Sequence, residues 1–171
     1  MKKPIYVLAG ILGFSLMSAA QAENFQTIGW IEHVKLGTSD LMMRAKIDTG
    51  ADNSSIHADN MTVYEKDGVK MVKFTVENKQ GNAAKFDLPV VRIANIKRKG
   101  AEPLHRPVVK MNLCLGHSMK TVYVNLANRG NFKYRMLVGR SYLKNQYLVN
   151  TATQYTEEPS CGNEKVAELD S

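Results

Sequence analysis

Ile47-Asp48-Thr49-Gly50-Ala51 sets an apolar residue, a carboxylate, a hydroxyl and a glycine in succession, just where the alternating run from Met42 gives out. Aspartate and glycine are favoured at strand-ending turns for backbone reasons alone, so the neighbours of the tripeptide decide its meaning. Asp52-Asn53-Ser54 continue the polar turn. Gly139 lies 91 positions after Asp48, and there a second apolar run, Met136-Leu137-Val138, ends in Gly139-Arg140.

Around these two segments the apolar residues recur with period two. Val72-Lys73-Phe74-Thr75-Val76 and Val122-Tyr123-Val124-Asn125-Leu126 alternate as half-buried strands require. Asp67-Gly68, the stretch Asn78–Asn82, Lys99-Gly100 and Leu115-Gly116-His117 punctuate the pattern as turns. The periodicity predicts strands near residues 28–36, 42–48, 61–65, 69–77, 83–96, 107–114, 119–126 and 134–138. So many short strands make an all-β barrel or sandwich. One short helix is expected at Ser141–Asn145, closing the chain against the sheet before Tyr147-Leu148-Val149.

The N-terminus reads as a secretory signal. Lys2 and Lys3 precede an apolar run from Ile5 to Met17, and Ala20 and Ala22 stand at the −3 and −1 positions of a cleavage site. That run is shorter than the ~20 residues a bilayer span needs, so no stable membrane insertion is expected after cleavage. The expected division is 1–22 signal peptide, 23–155 domain and 156–171 polar, flexible tail, with a periplasmic or secreted product. The mature chain would hold 171 − 22 = 149 residues, enough for one domain with a substantial core. Its 21 basic and 16 acidic residues leave a net charge of +5. The densest basic cluster, Lys97-Arg98-Lys99, precedes Gly100 and reads as a solvated turn, so no nucleic-acid partner is expected. Cys114 and Cys161 travel to a compartment that permits disulfides. Either they pair, or Cys114 is a buried strand residue and Cys161 a free thiol in the tail.

Asp48-Thr49-Gly50-Ala51-Asp52-Asn53-Ser54 followed by Leu137-Val138-Gly139-Arg140 resembles a retropepsin-type aspartic peptidase, both motifs standing in that family's order. Lys46–Ala51, Ile56-His57-Ala58, Arg106-Pro107-Val108-Val109 and Tyr134–Arg140 are similar, more closely, to the bacterial retropepsin-like family labelled ATP-dependent zinc proteases. The resemblance covers about residues 27–150 and implies a closed or partly open acid-protease barrel. The label's two cofactors find no motif here. No GxxxxGKS/T loop is present, and His33, His57, His105 and His117 form no HExxH pair, so neither cofactor nor metal is expected.

The chemistry of such a loop needs two carboxyl groups. One deprotonates the attacking water while the other supplies a proton, and two like charges in contact cannot both ionise, which separates their apparent pKa values into an acid and a base. This chain shows one Asp-Thr-Gly and no internal repeat. A homodimer that sets Asp48 beside its twofold mate supplies the second. The resemblance implies that Thr49 hydrogen-bonds across the axis, that Gly50 gives substrate backbone room beside Ala51, that Asp52 pairs with Arg140, and that Asn53 lines the cleft. A flap is also implied; the Asn78–Asn82 turn and the Lys97–Pro103 loop are both candidates for it. The expected function is hydrolysis of peptide or isopeptide bonds in a peptide or protein substrate. The alternative is a non-catalytic peptide-binding or regulatory envelope module on the same fold.

Overall fold

A computed structural model describes residues 25–37, 39–98 and 100–162; the signal-like segment 1–22 and the stretch 163–171 lie outside them. The strands are β1 (Gln26–Gly29), β2 (Ile31–Leu36), β3 (Met42–Ile47), β4 (Ser54–His57), β5 (Asp59–Lys66), β6 (Val69–Glu77), β7 (Ala83–Pro89), β8 (Arg92–Arg98), β9 (Ala101–Leu115), β10 (Ser118–Ala127), β11 (Met136–Val138) and β12 (Tyr147–Asn150). The short helix α1 (Arg140–Leu143) follows β11. The chain is therefore the expected all-β fold with one short helix near its C-terminal end.

Six strands close a ring. Their order is β10-β4-β11-β3-β2-β9, and β9 returns to pair with β10. Alternate residues of each strand point inward, so Val34, Leu36, Ala45, Ile47, Ile56, Val109, Leu113, Val122, Val124 and Met136 are buried together. β9 is long enough to serve three neighbours, β2 along one edge and two others along its length. Its second half pairs with β10, while its first half forms a hairpin with β8, which pairs with no other strand among the described residues. β5, β6 and β7 make a separate three-stranded sheet whose Phe74 and Phe86 stack at 5.3 Å.

Two expected strands are broken, each where the chain changes partners. The run 28–36 divides at Trp30, whose N–H donates to the Thr153 carbonyl at 3.1 Å and whose carbonyl accepts the Ile47 N–H at 2.9 Å. β1 pairs in parallel with β12, and β2 joins the ring. The run 83–96 divides after Pro89: the Val90 N–H donates to Lys70 in the small sheet, the Val91 N–H to Val108 in the ring. β4 was not foreseen. Ser54-Ser55-Ile56-His57 reads as polar, yet all four residues are buried between β10 and β11.

Cys114 and Cys161 form a disulfide, so the free-thiol alternative does not hold. Residues 156–162, expected as flexible tail, are instead fastened to the barrel. Tyr155 donates its N–H to the Ile31 carbonyl and Ser160 to the Gly116 carbonyl, both at 2.8 Å. Between them lies Glu32, a fully buried carboxylate that accepts the Gly29 N–H at 2.6 Å, the Thr156 hydroxyl at 2.7 Å and the Thr156 N–H at 3.1 Å. A buried charge is tolerable only with such a complete set of donors. Gly29 is required there, because a Cβ would stand 2.6 Å from the Thr153 carbonyl oxygen.

Candidate active site

β3 and β11 run parallel and in register, Val138 beside Ile47, so the loop after β3 and the segment after β11 leave the sheet together. The Asp48 N–H continues the ladder to the Val138 carbonyl at 2.8 Å. The residues that follow interlock through their backbones. Arg140 donates its N–H to the Ala51 carbonyl and Ser141 to the Asp52 carbonyl, each at 2.9 Å. The approach leaves no room for a side chain at Gly139, where a Cβ would sit 2.6–2.8 Å from backbone atoms of Asn53 and Asp52. The Gly139 N–H donates to the buried Ser54 Oγ at 3.2 Å.

Arg140 adds a side-chain clasp. Its guanidinium donates to the Thr49 carbonyl at 2.9 Å and lies 3.7 Å from an Asp52 carboxylate oxygen. The Asn53 amide donates to the other Asp52 oxygen at 3.4 Å. The structure thus brings Asp48, Thr49, Gly50, Ala51, Asp52 and Asn53 of one surface loop together with Arg140 of α1. Asp48 is half-buried, and its Oδ1 accepts the Gly50 N–H at 3.2 Å. Thr49 and Gly50 are exposed, and a Cβ on Gly50 would lie 3.3 Å from that carboxylate oxygen. With Asp52 engaged by Arg140, one chain offers a single carboxylate without an ion-pair partner at this loop.

Three further residues were not singled out by the sequence for what they do here. His57 is 6% exposed; its Nδ1 accepts the Arg129 N–H at 2.9 Å, which places the ring proton on Nε2, and Nε2 lies 3.1 Å from Asp59. The ring therefore positions the segment that carries Arg129. The Arg129 side chain donates through Nε to the Tyr134 carbonyl at 3.3 Å and lies over the Phe132 ring at 4.6 Å. Its pKa is held below the usual arginine value by burial first and the Arg106 charge second, with the Asp48 charge acting in the opposite sense. Arg129 is thus within electrostatic reach of both Arg106 and Asp48. Arg106 comes from β9, opposite Ala94 of the β8–β9 hairpin, and its Nε is buried with no hydrogen-bond partner. No spacing rule marks these arginines, since strands and loops distant in sequence assemble them.

The two flap candidates differ in kind. Asn78 is buried and donates to the Met42 carbonyl at 3.1 Å while its own side-chain oxygen accepts the N–H groups of Gln80 and Asn82 at 3.0 Å, so the Asn78–Asn82 turn is anchored on β3. Of the Lys97–Pro103 stretch, the described residues 97–98 and 100–103 lie at the far end of the β8–β9 hairpin.

The chain belongs to the RimB-like family, described as retropepsin-like aspartic endopeptidase RimB, whose model matches residues 27–160. It is 31% identical over 129 residues to a protein of Shewanella pealeana named "Probable alpha-L-glutamate ligase", covering 74% of this chain and 28% of that one. A protein of the same name from Desulfotalea psychrophila is 28% identical over 128 residues, 73% of this chain and 27% of its own length. The chain thus spans little more than a quarter of the curated relatives it matches. Among solved structures, a Legionella pneumophila protein of unknown function (DUF785) superposes with a TM-score of 0.66 at 36% identity, covering 76% of this chain and 96% of that one.

Proposed function

We propose that this RimB-like chain is an exported aspartic peptidase whose catalytic pair forms across a homodimer, Asp48 of one protomer sharing a proton with the partner's Asp48. The carrying observation is the interlock of the Asp48–Asn53 loop with Gly139-Arg140, which fixes a half-buried carboxylate at the protein surface. In the pair, the ionised carboxylate takes a proton from the attacking water and the protonated one gives its proton to the carbonyl oxygen of the scissile bond. Thr49, exposed on one chain and without a side-chain hydrogen bond among the described residues, is free to bond across the axis. The Cys114–Cys161 disulfide favours export, because such bonds persist in oxidising compartments.

The substrate class follows from charge. Arg129 lies within electrostatic range of the Asp48 carboxylate, so an acidic side chain of a bound peptide would meet a cation close to the proposed catalytic group. The relatives named as glutamate ligases favour the same choice, a peptide or isopeptide bond in a glutamate-bearing chain. The β8–β9 hairpin, unsupported by a third strand among the described residues, is the flap in this reading.

Asp48→Asn is expected to abolish hydrolysis of a glutamate-rich peptide while leaving circular dichroism and sedimentation unchanged. Retained turnover would falsify the aspartyl mechanism. A wild-type chain that sediments as a strict monomer with substrate present would leave the reaction without its second carboxylate.

A further inference from the structure

A cavity of about 340 Å³ lies where β3, the anchored turn between β6 and β7, and the segment before β11 meet. Arg44, Lys79, Lys133 and Arg135 line it, and no aspartate or glutamate does. Arg44 in β3 stands four residues before Asp48, which follows the strand directly, so the two are about 13 Å apart at the strand rise of ~3.3 Å. The cavity is therefore apart from the Asp48 loop.

Of its cations, Arg135 is paired with a carboxylate, while Arg44 and Lys133 are held against an aromatic ring instead. Arg135 donates to the Glu77 carbonyl oxygen at 3.1 Å and pairs with the Glu77 carboxylate at 3.4 Å. Arg44 lies over the Tyr134 ring at 5.4 Å, Lys133 lies over the same ring at 5.5 Å, and that ring meets Trp30 edge-on at 6.1 Å. Among the described residues neither Arg44 nor Lys133 has a carboxylate partner. An aromatic ring attracts a cation but accepts none of the in-plane N–H bonds of a guanidinium, so the donors of Arg44 remain available. Two cations against one ring, with Lys79 and Arg135 beside them, also repel one another. A ligand with several negative groups relieves that repulsion and satisfies the donors. The Asn78 and Asn82 side chains and Tyr155 complete a polar wall.

We propose that this cavity is a second anion site, taking a small ligand or peptide segment that carries two or more carboxylate or phosphate groups. The site is independent of catalysis, so it is tested in the Asp48→Asn chain by calorimetric titration at low and at physiological salt. Tripolyphosphate probes a free polyanion, and hexaglutamate probes an acidic peptide segment. The Arg44→Gln/Lys133→Gln double variant, altered at two exposed positions, is expected to weaken at least one probe tenfold or more, while Arg106→Gln leaves that binding unchanged. Loss confined to tripolyphosphate assigns the site to a free polyanion, and loss confined to hexaglutamate assigns it to peptide. The proposal is overturned if neither probe binds at low salt, if the double variant binds both as the parent does, or if Arg106→Gln alone removes binding.

Discussion

Breaking the Cys114–Cys161 bond isolates how much the C-terminal strap contributes by covalent closure. The cysteines are 47 positions apart, and closing a loop of that length removes about 14 cal/mol/K of entropy from the unfolded chain, about 4 kcal/mol at 25 °C. Unfolding entropy of roughly 2.1 cal/mol/K per residue over about 140 residues turns that into a loss of about 14 °C in Tm. Urea unfolding of the oxidised chain, the chain reduced by a phosphine, and Cys161→Ser should therefore show both latter forms destabilised by about 4 kcal/mol. The strap itself should stay docked, because the Thr156 N–H and hydroxyl and the Glu157 N–H still bond to the buried Glu32 carboxylate. Amide exchange at Thr156 reads that directly. A stability loss under 1 kcal/mol would refute the loop-closure reasoning, and a Thr156 amide unprotected in the reduced native state would show that Glu32 does not hold the strap.

Two further outcomes follow from buried polar groups. Ser54→Ala leaves the Gly139 N–H without an acceptor inside the protein, so it should lower stability by about 1–3 kcal/mol in chemical denaturation and reduce turnover through the loosened Arg140 clasp. At alkaline pH the linkage is set by Tyr142, which burial first and the neighbouring Tyr147 second hold well above the usual tyrosine pKa. The unfolded chain loses that phenolic proton near pH 10 while the folded chain keeps it. Stability present below pH 10 should then fall by up to about 1.4 kcal/mol per pH unit above it, seen as tyrosinate absorbance rising together with loss of the β-sheet signal. Lys120, whose pKa is lowered by burial and then by Lys144, acts in the opposite direction and blunts the slope as pH approaches 10.5.

The barrel was legible wherever one strand face met the core and the other met solvent. In the small sheet the same held for Val69–Glu77, whose bounds were found: from Val72 onward, Val72, Phe74 and Val76 are buried while Lys73, Thr75 and Glu77 alternate with them. Alternation says nothing about which sheet a strand joins, so the change of sheet at Val90-Val91 was invisible inside a continuous pattern. β4 failed for the opposite reason. All four of its residues are buried, and Ser54 accepts the Asn125 side-chain amide of β10 at its carbonyl and the Gly139 N–H at its hydroxyl rather than packing as hydrocarbon. The tail was misjudged because its polarity suits water, whereas its partners are the equally polar Glu32 and the Gly116 turn.

The same distinction governs the site. Asp48-Thr49-Gly50 and Gly139-Arg140 could be joined from sequence because each is a contiguous motif and their contact is made by backbone groups, which vary little with the residues around them. Arg106, Arg129 and His57 belong to three segments whose meeting depends on the barrel having closed. His57 ranks as a packing residue when read alone. In the barrel its Nδ1 must accept the Arg129 N–H, and that requires an unprotonated nitrogen facing a loop more than 70 positions away. A histidine that fixes an arginine beside the candidate catalytic carboxylate does its work through the fold. Local pattern therefore identifies the residue proposed to do the chemistry, while only the closed ring brings Arg129 within electrostatic range of it.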